Sequence, residues 1–292
     1  MYVNINERKV RLTSLEKMIW PEDGLTKYEL VHYYTRIAPF LLPHLKERPL
    51  VVQRFPDGIN HQGFYQKNCP DGAPEWIRTY PVKHRSGKIT RYVIVDSVEA
   101  LTWLGNQASL ELHPWLSSVG TLEYPDFAVF DLDPMKDSTF EDVKKVALMV
   151  KEVLEKKGLS CYPKTSGATG LQVYVPLNPV HDYGKVRLFV ENISRVVHQI
   201  MPEKTTVERK IENRQGKVYL DYLQNGRGKT LASVYSPRPL RGAPVSAPLT
   251  WDEINRSDVY PGNFTLNNIL ARISDKNDLF EAVLREKQEL PR

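Results

Sequence analysis

The stretch Phe127-Ala128-Val129-Phe130-Asp131-Leu132-Asp133-Pro134 constrains this chain most: an apolar β-run ends in two carboxylates spaced i, i+2, and proline halts it. Side chains alternate across a strand, so Asp131 and Asp133 share one face, roughly 6–7 Å apart along the backbone, and Leu132 takes the other. Two carboxylates that close repel by about 2–3 kcal/mol at an effective dielectric near 20. A divalent cation between them removes the repulsion and gains two oxygen ligands, which makes a strand end a platform for phosphoryl chemistry. The same Asp-x-Asp-Pro pattern is also an ordinary exit from strand to turn, so the rest of the chain has to decide.

The surrounding periodicity predicts an α+β fold, with sheets flanked by helices. Thr26-x-x-Glu29 reads as a capping box opening a helix with Leu30, Tyr33, Tyr34, Ile37 and Phe40 at helical spacing. Strands are expected at 50–55 and 92–95, and Ser97 caps a second helix carrying Val98, Leu101, Trp103 and Leu104. Beyond Phe127, Ser138-x-x-Glu141 caps an amphipathic helix that Gly158 ends. A strand at 171–177, a helix at 185–201 and strands at 217–223 and 230–235 follow. The segment 236–250 is too rich in proline for regular structure, and a helix begins near Trp251. The expected organisation is one domain, 1–292, with an N-terminal subdomain over 1–120 and a core over 121–292 that holds the acidic pair.

Composition excludes more than it selects. No apolar run reaches the roughly 18 residues of a membrane span, and 1–11 lacks a signal peptide's apolar stretch, so a cytoplasmic protein with no membrane partner is expected. Cys69 and Cys161 lie far apart without Cys-x-x-Cys spacing, which argues against a zinc site or a disulfide framework. A net charge of +5 permits a polyanionic partner without requiring one.

Two further segments bear on the acidic pair. Lys164-Thr165-Ser166-Gly167-Ala168-Thr169-Gly170 is a small-residue loop whose backbone N–H groups can approach an anion, although hairpin loops often share that composition. Asp221, in Val218-Tyr219-Leu220-Asp221-Tyr222, is costly to bury unless it is paired or coordinates a cation; a salt bridge to a nearby arginine is the alternative. Together they make two carboxylates, a phosphate-cradling loop and a third carboxylate, the device of polymerases that use two metal ions. The basic stretches 226–230, with Lys229, and 236–241, with Arg238, would neutralise triphosphate oxygens.

Phe130-Asp131-Leu132-Asp133-Pro134, Thr165-Ser166-Gly167-Ala168-Thr169-Gly170-Leu171-Gln172-Val173-Tyr174-Val175-Pro176-Leu177, and Asp221-Tyr222-Leu223-Gln224-Asn225 through Gly242-Ala243-Pro244-Val245-Ser246-Ala247-Pro248-Leu249 resemble the polymerase domain of ligase D. That is the bacterial and archaeal end-joining polymerase of the archaeo-eukaryotic primase superfamily. The resemblance runs from about Leu12 to beyond Trp251, and it implies a primase-like core with mixed or antiparallel sheets. It implies that Asp131, Asp133 and Asp221 are catalytic metal ligands for two Mn2+ or Mg2+ ions. It also implies that His113, Ser166, Gln172 and Arg238 meet an NTP or dNTP, beside Gly167 and Lys229, which the loop and the basic stretch already offer as nucleotide contacts. By the same resemblance Lys17 and Lys27 grip the 5′-phosphate of a DNA end, Phe64 and Tyr65 stack on template bases, and Arg54 and Lys67 contact DNA. Ku and a separate DNA ligase are implied partners, with a nucleoid-associated location. Gln172 departs from the family's usual histidine and can never be cationic, and Gln53 stands where a basic residue often precedes the arginine. Tyr65 replaces a common phenylalanine and keeps the π-face.

The expected activity is template-dependent, and in part terminal, nucleotidyl transfer to a primer 3′-hydroxyl, with ribonucleotides preferred. A primer-independent primase, a non-catalytic scaffold bridging DNA ends and an Asp-x-Asp nucleotide-sugar transferase are the rival readings. The last gives no role to Lys17, Lys27 or the Phe64/Tyr65 pair. No nucleotidyl-lysine ligase motif is present, so the chain is read as a stand-alone polymerase or an excised one, with Met1 favouring the former.

Overall fold

The structure, a computed structural model, describes residues 1–84 and 86–291. Two small antiparallel hairpins lead the chain: β1 (Tyr2–Ile5) with β2 (Arg8–Arg11), and β3 (Met18–Trp20) with β4 (Leu25–Thr26). Helix α1 (Lys27–Leu45) follows, opened by the Thr26/Glu29 capping box as its sequence predicts. A first five-stranded sheet comprises β5 (Leu50–Arg54), β6 (Phe64–Gln66), β7 (Thr79–Lys83), β8 (Ile89–Val93) and, after helix α2 (Val98–Asn106), β9 (Ser109–Pro114). Its α1 side chains Leu30, Tyr34, Ile37 and Leu41 are fully buried, and the Tyr34 hydroxyl donates to the carbonyls of Ser109 and Leu110, which ties the helix to β9.

The second sheet is built from β10 (Phe127–Pro134), β11 (Tyr162–Thr165), β12 (Leu171–Pro176), β13 (Thr205–Thr206) and β14 (Val218–Leu220), in the spatial order β11-β12-β10-β14-β13. Only β13 and β14 run parallel, so the sheet is mixed. Helices α3 (Phe140–Glu155) and α4 (Tyr183–Ile200) pack on β10 and on each other, with Val143, Val146, Val150, Val186, Val190 and Val197 fully buried. One hydrophobic cluster runs from Val10 through both sheets to Leu290. Among the described residues, no helix is long and apolar enough to cross a membrane. Both cysteines are buried and unpaired.

The structure corrects several local expectations. Helix α3 is capped by Thr139 and Asp142 rather than by Ser138 and Glu141, because the Asp142 carboxylate reaches back to the Thr139 N–H at 3.0 Å, whereas Ser138 bonds the Met135 carbonyl. The strand expected over 217–223 stops at Leu220, and Tyr222–Asn225 forms a 3-10 turn that Asp221 caps by accepting from the Leu223 N–H. The segment 230–235 is irregular, with only an isolated bridge from Thr230 to Trp115. Strand β11 and strand β9 were both outside the sequence reading, for reasons of length and of an interrupted apolar pattern.

Candidate active site

Register places the site. Asp131 lies opposite Gln172 of β12, Leu132 opposite Leu220 of β14, and the Asp221 N–H donates to the Asp131 carbonyl at 2.9 Å. The sheet therefore carries Asp221 to the side of Asp131, although ninety residues separate them in the chain. One oxygen each from Asp131, Asp133 and Asp221 lies within 4.8 Å of the others. Asp131 is buried and the other two are half-buried. Burial first, then the charges of Asp133 and Asp221, push the Asp131 carboxyl well above the usual carboxylate range, against the hydrogen bond from Gln172. Burial and the Asp221 charge raise Asp133 too, with Arg214 and Arg238 opposing. The donors are all carboxylate oxygens, the set that suits hard divalent cations, and their mutual repulsion is what such ions relieve.

Beside the acids, Ser166 turns the loop after β11: its hydroxyl accepts from the N–H groups of Ala168 and Gly170 at 3.1 and 3.0 Å. Gly170 has to be glycine, since a Cβ there would sit 2.3 Å from the Leu132 carbonyl oxygen of β10. Gly167 has φ +76°, and a Cβ there would meet Arg238 Cγ at 2.7 Å, so the loop presses directly on that arginine. Arg238 Nη1 donates to the Ser166 carbonyl at 2.6 Å. Its Nε lies 2.7 Å from Glu111 Oε1, a contact that is ionic rather than an aligned hydrogen bond.

Glu111 is a buried carboxylate that sequence reasoning left without a role. Its second oxygen is 2.7 Å from His113 Nε2, so one side chain holds both His113 and Arg238 at the cleft. Burial works to raise the Glu111 carboxyl, but the His113 hydrogen bond and the Arg238 charge outweigh it and hold it below the usual range. The signal was available: Glu111 and His113 stand i, i+2 on β9, the same logic that singled out Asp131 and Asp133. Lys164 was likewise read only as part of a loop. It lies on β11, fully buried, with burial and then the Arg238 charge lowering it to about 7 and Asp131 opposing. The Gln172 amide donates to Asp131 Oδ1 at 3.0 Å.

The remaining predicted residues fall in three places. Tyr65 and Phe64 are exposed on β6, and the Tyr65 ring meets His113 edge-on at 5.7 Å, so Tyr65 borders the site while Phe64 takes the other face of the strand. Arg54 lies under Phe64 at 5.4 Å and is bonded to Gln66 and Gln107, whereas Lys67 is exposed beyond the strand end. Lys17 and Lys27 flank the β3–β4 hairpin; burial, then the Lys17 charge, lowers Lys27, and Lys17 pairs with exposed Asp57 at 2.6 Å. This hairpin and helix α1 are anchored to the Arg238 loop. Trp20 Nε1 donates to the Arg238 carbonyl at 3.2 Å, the Tyr33 hydroxyl to the Tyr235 carbonyl at 2.6 Å, and the Gly242 N–H to Asp23 at 2.8 Å. Lys229 is exposed in a loop whose Arg227 pairs with Glu123, and no contact joins it to the acids among the described residues.

Carboxylates gathered on neighbouring strand ends of an α+β chain, against a glycine turn and an arginine, suit a nucleotidyltransferase, and the matches that follow make this chain one of the primase-polymerase class. The family model described as LigD, primase-polymerase domain, matches residues 26–280, and the chain belongs to that family. It is 35% identical over 285 residues to the bifunctional non-homologous end joining protein LigD of Bacillus subtilis, an alignment covering 97% of this chain and 45% of the relative. The multifunctional non-homologous end joining protein LigD of Mycolicibacterium smegmatis is 35% identical over 274 residues, which cover 93% of this chain and 35% of that protein. The chain thus spans less than half the length of these curated relatives. The solved polymerase domain from Mycobacterium tuberculosis ligase D, in complex with DNA, superposes with a TM-score of 0.88 at 32% identity, covering 96% of this chain and 99% of that one.

Proposed function

We propose that this chain is a DNA-end repair polymerase, a single domain that extends a primer 3′-hydroxyl at gaps or breaks and acts in non-homologous end joining. The convergence of Asp131, Asp133 and Asp221, with oxygens within 4.8 Å of one another, carries the reading. These acids would hold two divalent ions, Mn2+ or Mg2+. Bound there, such ions supply charge stabilisation to the attacking hydroxyl and the leaving pyrophosphate.

The chain's own residues supply the rest. Arg238, fixed by Glu111 and by the Ser166 carbonyl, presents a forked donor to the phosphates of an NTP or dNTP, with ribonucleotides preferred. His113 and the Ser166–Gly167 turn complete the nucleotide contacts, and Gln172 borders them through Asp131, whereas Lys229, exposed on a loop that no contact among the described residues joins to the acids, is left out of them. Exposed Phe64 and Tyr65 stack on template bases, at about 1–3 kcal/mol per base, with Arg54 and Lys67 alongside. Lys17 and Lys27, two cations held together at the start of α1, receive the 5′-phosphate of the DNA end. Ku and a DNA ligase are the partners this role calls for, in a cytoplasmic, nucleoid-associated setting.

Primer extension on gapped, 5′-phosphorylated DNA with Mn2+ tests the proposal. The wild type should extend, and Asp221→Ala should lose extension while retaining DNA affinity in an anisotropy titration. Full activity in Asp221→Ala would remove the basis for the metal assignment.

A further inference from the structure

Lys164, Gln172 and Asp131 stand in one cross-strand row: Lys164 is opposite Gln172 between β11 and β12, and Gln172 is opposite Asp131 between β12 and β10. Opposed residues of antiparallel strands share a face, so Gln172 meets Lys164 on one side and Asp131 on the other. The Lys164 ammonium donates to Gln172 Oε1 at 2.5 Å, Ser246 Oγ at 2.6 Å and the Ala232 carbonyl at 2.9 Å. Three donors thus find three acceptors inside the protein, and none remains for a ligand.

This lysine decides the orientation of the neighbouring amide. A glutamine has an acceptor end and a donor end, and Lys164 takes the acceptor. The donor end is then aimed at β10, where Nε2 reaches Asp131 Oδ1 at 3.0 Å. Turning the amide over would set its NH2 against the ammonium and its carbonyl against the carboxylate, two repulsive contacts in place of two attractive ones. Asp131 Oδ2 receives no hydrogen bond from the described residues.

We propose that Lys164 and Gln172 are positioning residues for the cation site: Lys164 locks the Gln172 amide, which holds one oxygen of Asp131 and leaves the other for a cation. The inference rests on Asp131 being a cation ligand. It gives Gln172 a task inside the protein, distinct from the phosphate contact that the family resemblance implies for this position. Lys164 acts at one remove, touching neither the acids nor a substrate.

Mn2+ binding followed by electron paramagnetic resonance tests the device without catalysis. Wild type, Lys164→Met, Gln172→Leu and Gln172→His are each titrated with Mn2+ after a thermal melt in EDTA establishes folding. Gln172→Leu and Lys164→Met should weaken Mn2+ binding about tenfold or more, the usual cost of losing the group that orients a ligand. Gln172→His has one ring nitrogen to donate to Asp131 and one to accept from Lys164, so it should stay within about threefold of wild type. Packing alone would not distinguish leucine from histidine in this readout. If Lys164→Met does not fold, the Gln172 pair carries the comparison. Gln172→Leu binding Mn2+ as tightly as wild type overturns the inference, as does a raised nucleotide KM in that variant with Mn2+ affinity unchanged. A wild type that binds no Mn2+ overturns the cation site itself, and the device with it.

Discussion

Replacing Asp131 with asparagine should stabilise the cation-free protein while ending catalysis. The oxygens of Asp131, Asp133 and Asp221 lie within 4.8 Å of one another. At that distance each charged pair costs about 3.5 kcal/mol at an effective dielectric near 20. Proton uptake sets the ceiling: at pH 7, protonating a carboxyl with an ordinary value of 3.8 costs about 4 kcal/mol at about 1.36 kcal/mol per unit. Asparagine keeps an oxygen for the Gln172 Nε2–H, so little is lost in exchange. A gain of about 2–4 kcal/mol is expected, which for 292 residues at about 2.1 cal/mol/K each raises Tm by roughly 3–7 °C. Differential scanning calorimetry in EDTA measures it. The sign with pH follows from the raised Asp131 value: the stability that Asp131 itself contributes is full below about 3.8 and is lost as pH climbs through its folded-state value. The advantage of Asp131→Asn should therefore open across that window and vanish below it, and Mn2+ should stabilise the wild type alone. A variant that melts at or below wild type in EDTA at pH 7, or a gap that ignores pH, refutes the reasoning.

Three further expectations rest on other contacts. Lys17→Ala combined with Lys27→Ala should bring the affinity ratio for 5′-phosphorylated over unphosphorylated gapped DNA close to one; an unchanged ratio in anisotropy titrations would count against the pocket. Glu111→Gln loosens His113 and Arg238 together, so nucleotide KM should rise about tenfold, the worth of one charged hydrogen bond of about 1.5 kcal/mol, with kcat less affected. Steady-state kinetics with an unaltered KM would contradict it. Burial opposes ionisation of Glu253, yet Arg272, the Thr250 N–H and Lys276 hold it at about 2 rather than 4.5. That stability is present above about 4.5 and lost as pH falls through about 2, so Glu253→Gln should cost about 3 kcal/mol at pH 7 and much less near pH 2 in denaturant titrations.

The sequence was most legible where local chemistry coincides with tertiary need. The Thr26/Glu29 box and Ser97 cap their helices as predicted, because a cap is satisfied within four residues of chain. The Asp131/Asp133 pair was legible for the same reason, since strand alternation alone puts both on one face. Asp221 was legible as an acid costly to bury, with a salt bridge to an arginine as the alternative, but its place beside Asp131 was not, because only the β10–β14 register brings it alongside. Glu111 and Lys164 were missed because their strands are short and mix apolar with charged residues. Each is expensive to bury alone and is stabilised by partners far away in sequence, Arg238 for the first and Ser246 and Ala232 for the second. The β3–β4 hairpin went unread because its strands are only three and two residues long.

The bonds from Trp20, Tyr33 and Asp23 to the Arg238 loop make the spacing between the lysine pair and that arginine a property of the fold rather than of the substrate. A polymerase built this way carries a caliper. In the roles proposed above, with one jaw on a downstream phosphate and the other on an incoming nucleotide, it would fit one length of missing strand. On that proposal, a longer gap would oblige the enzyme either to release the far side until the last additions or to hold it while the unpaired template bows outward.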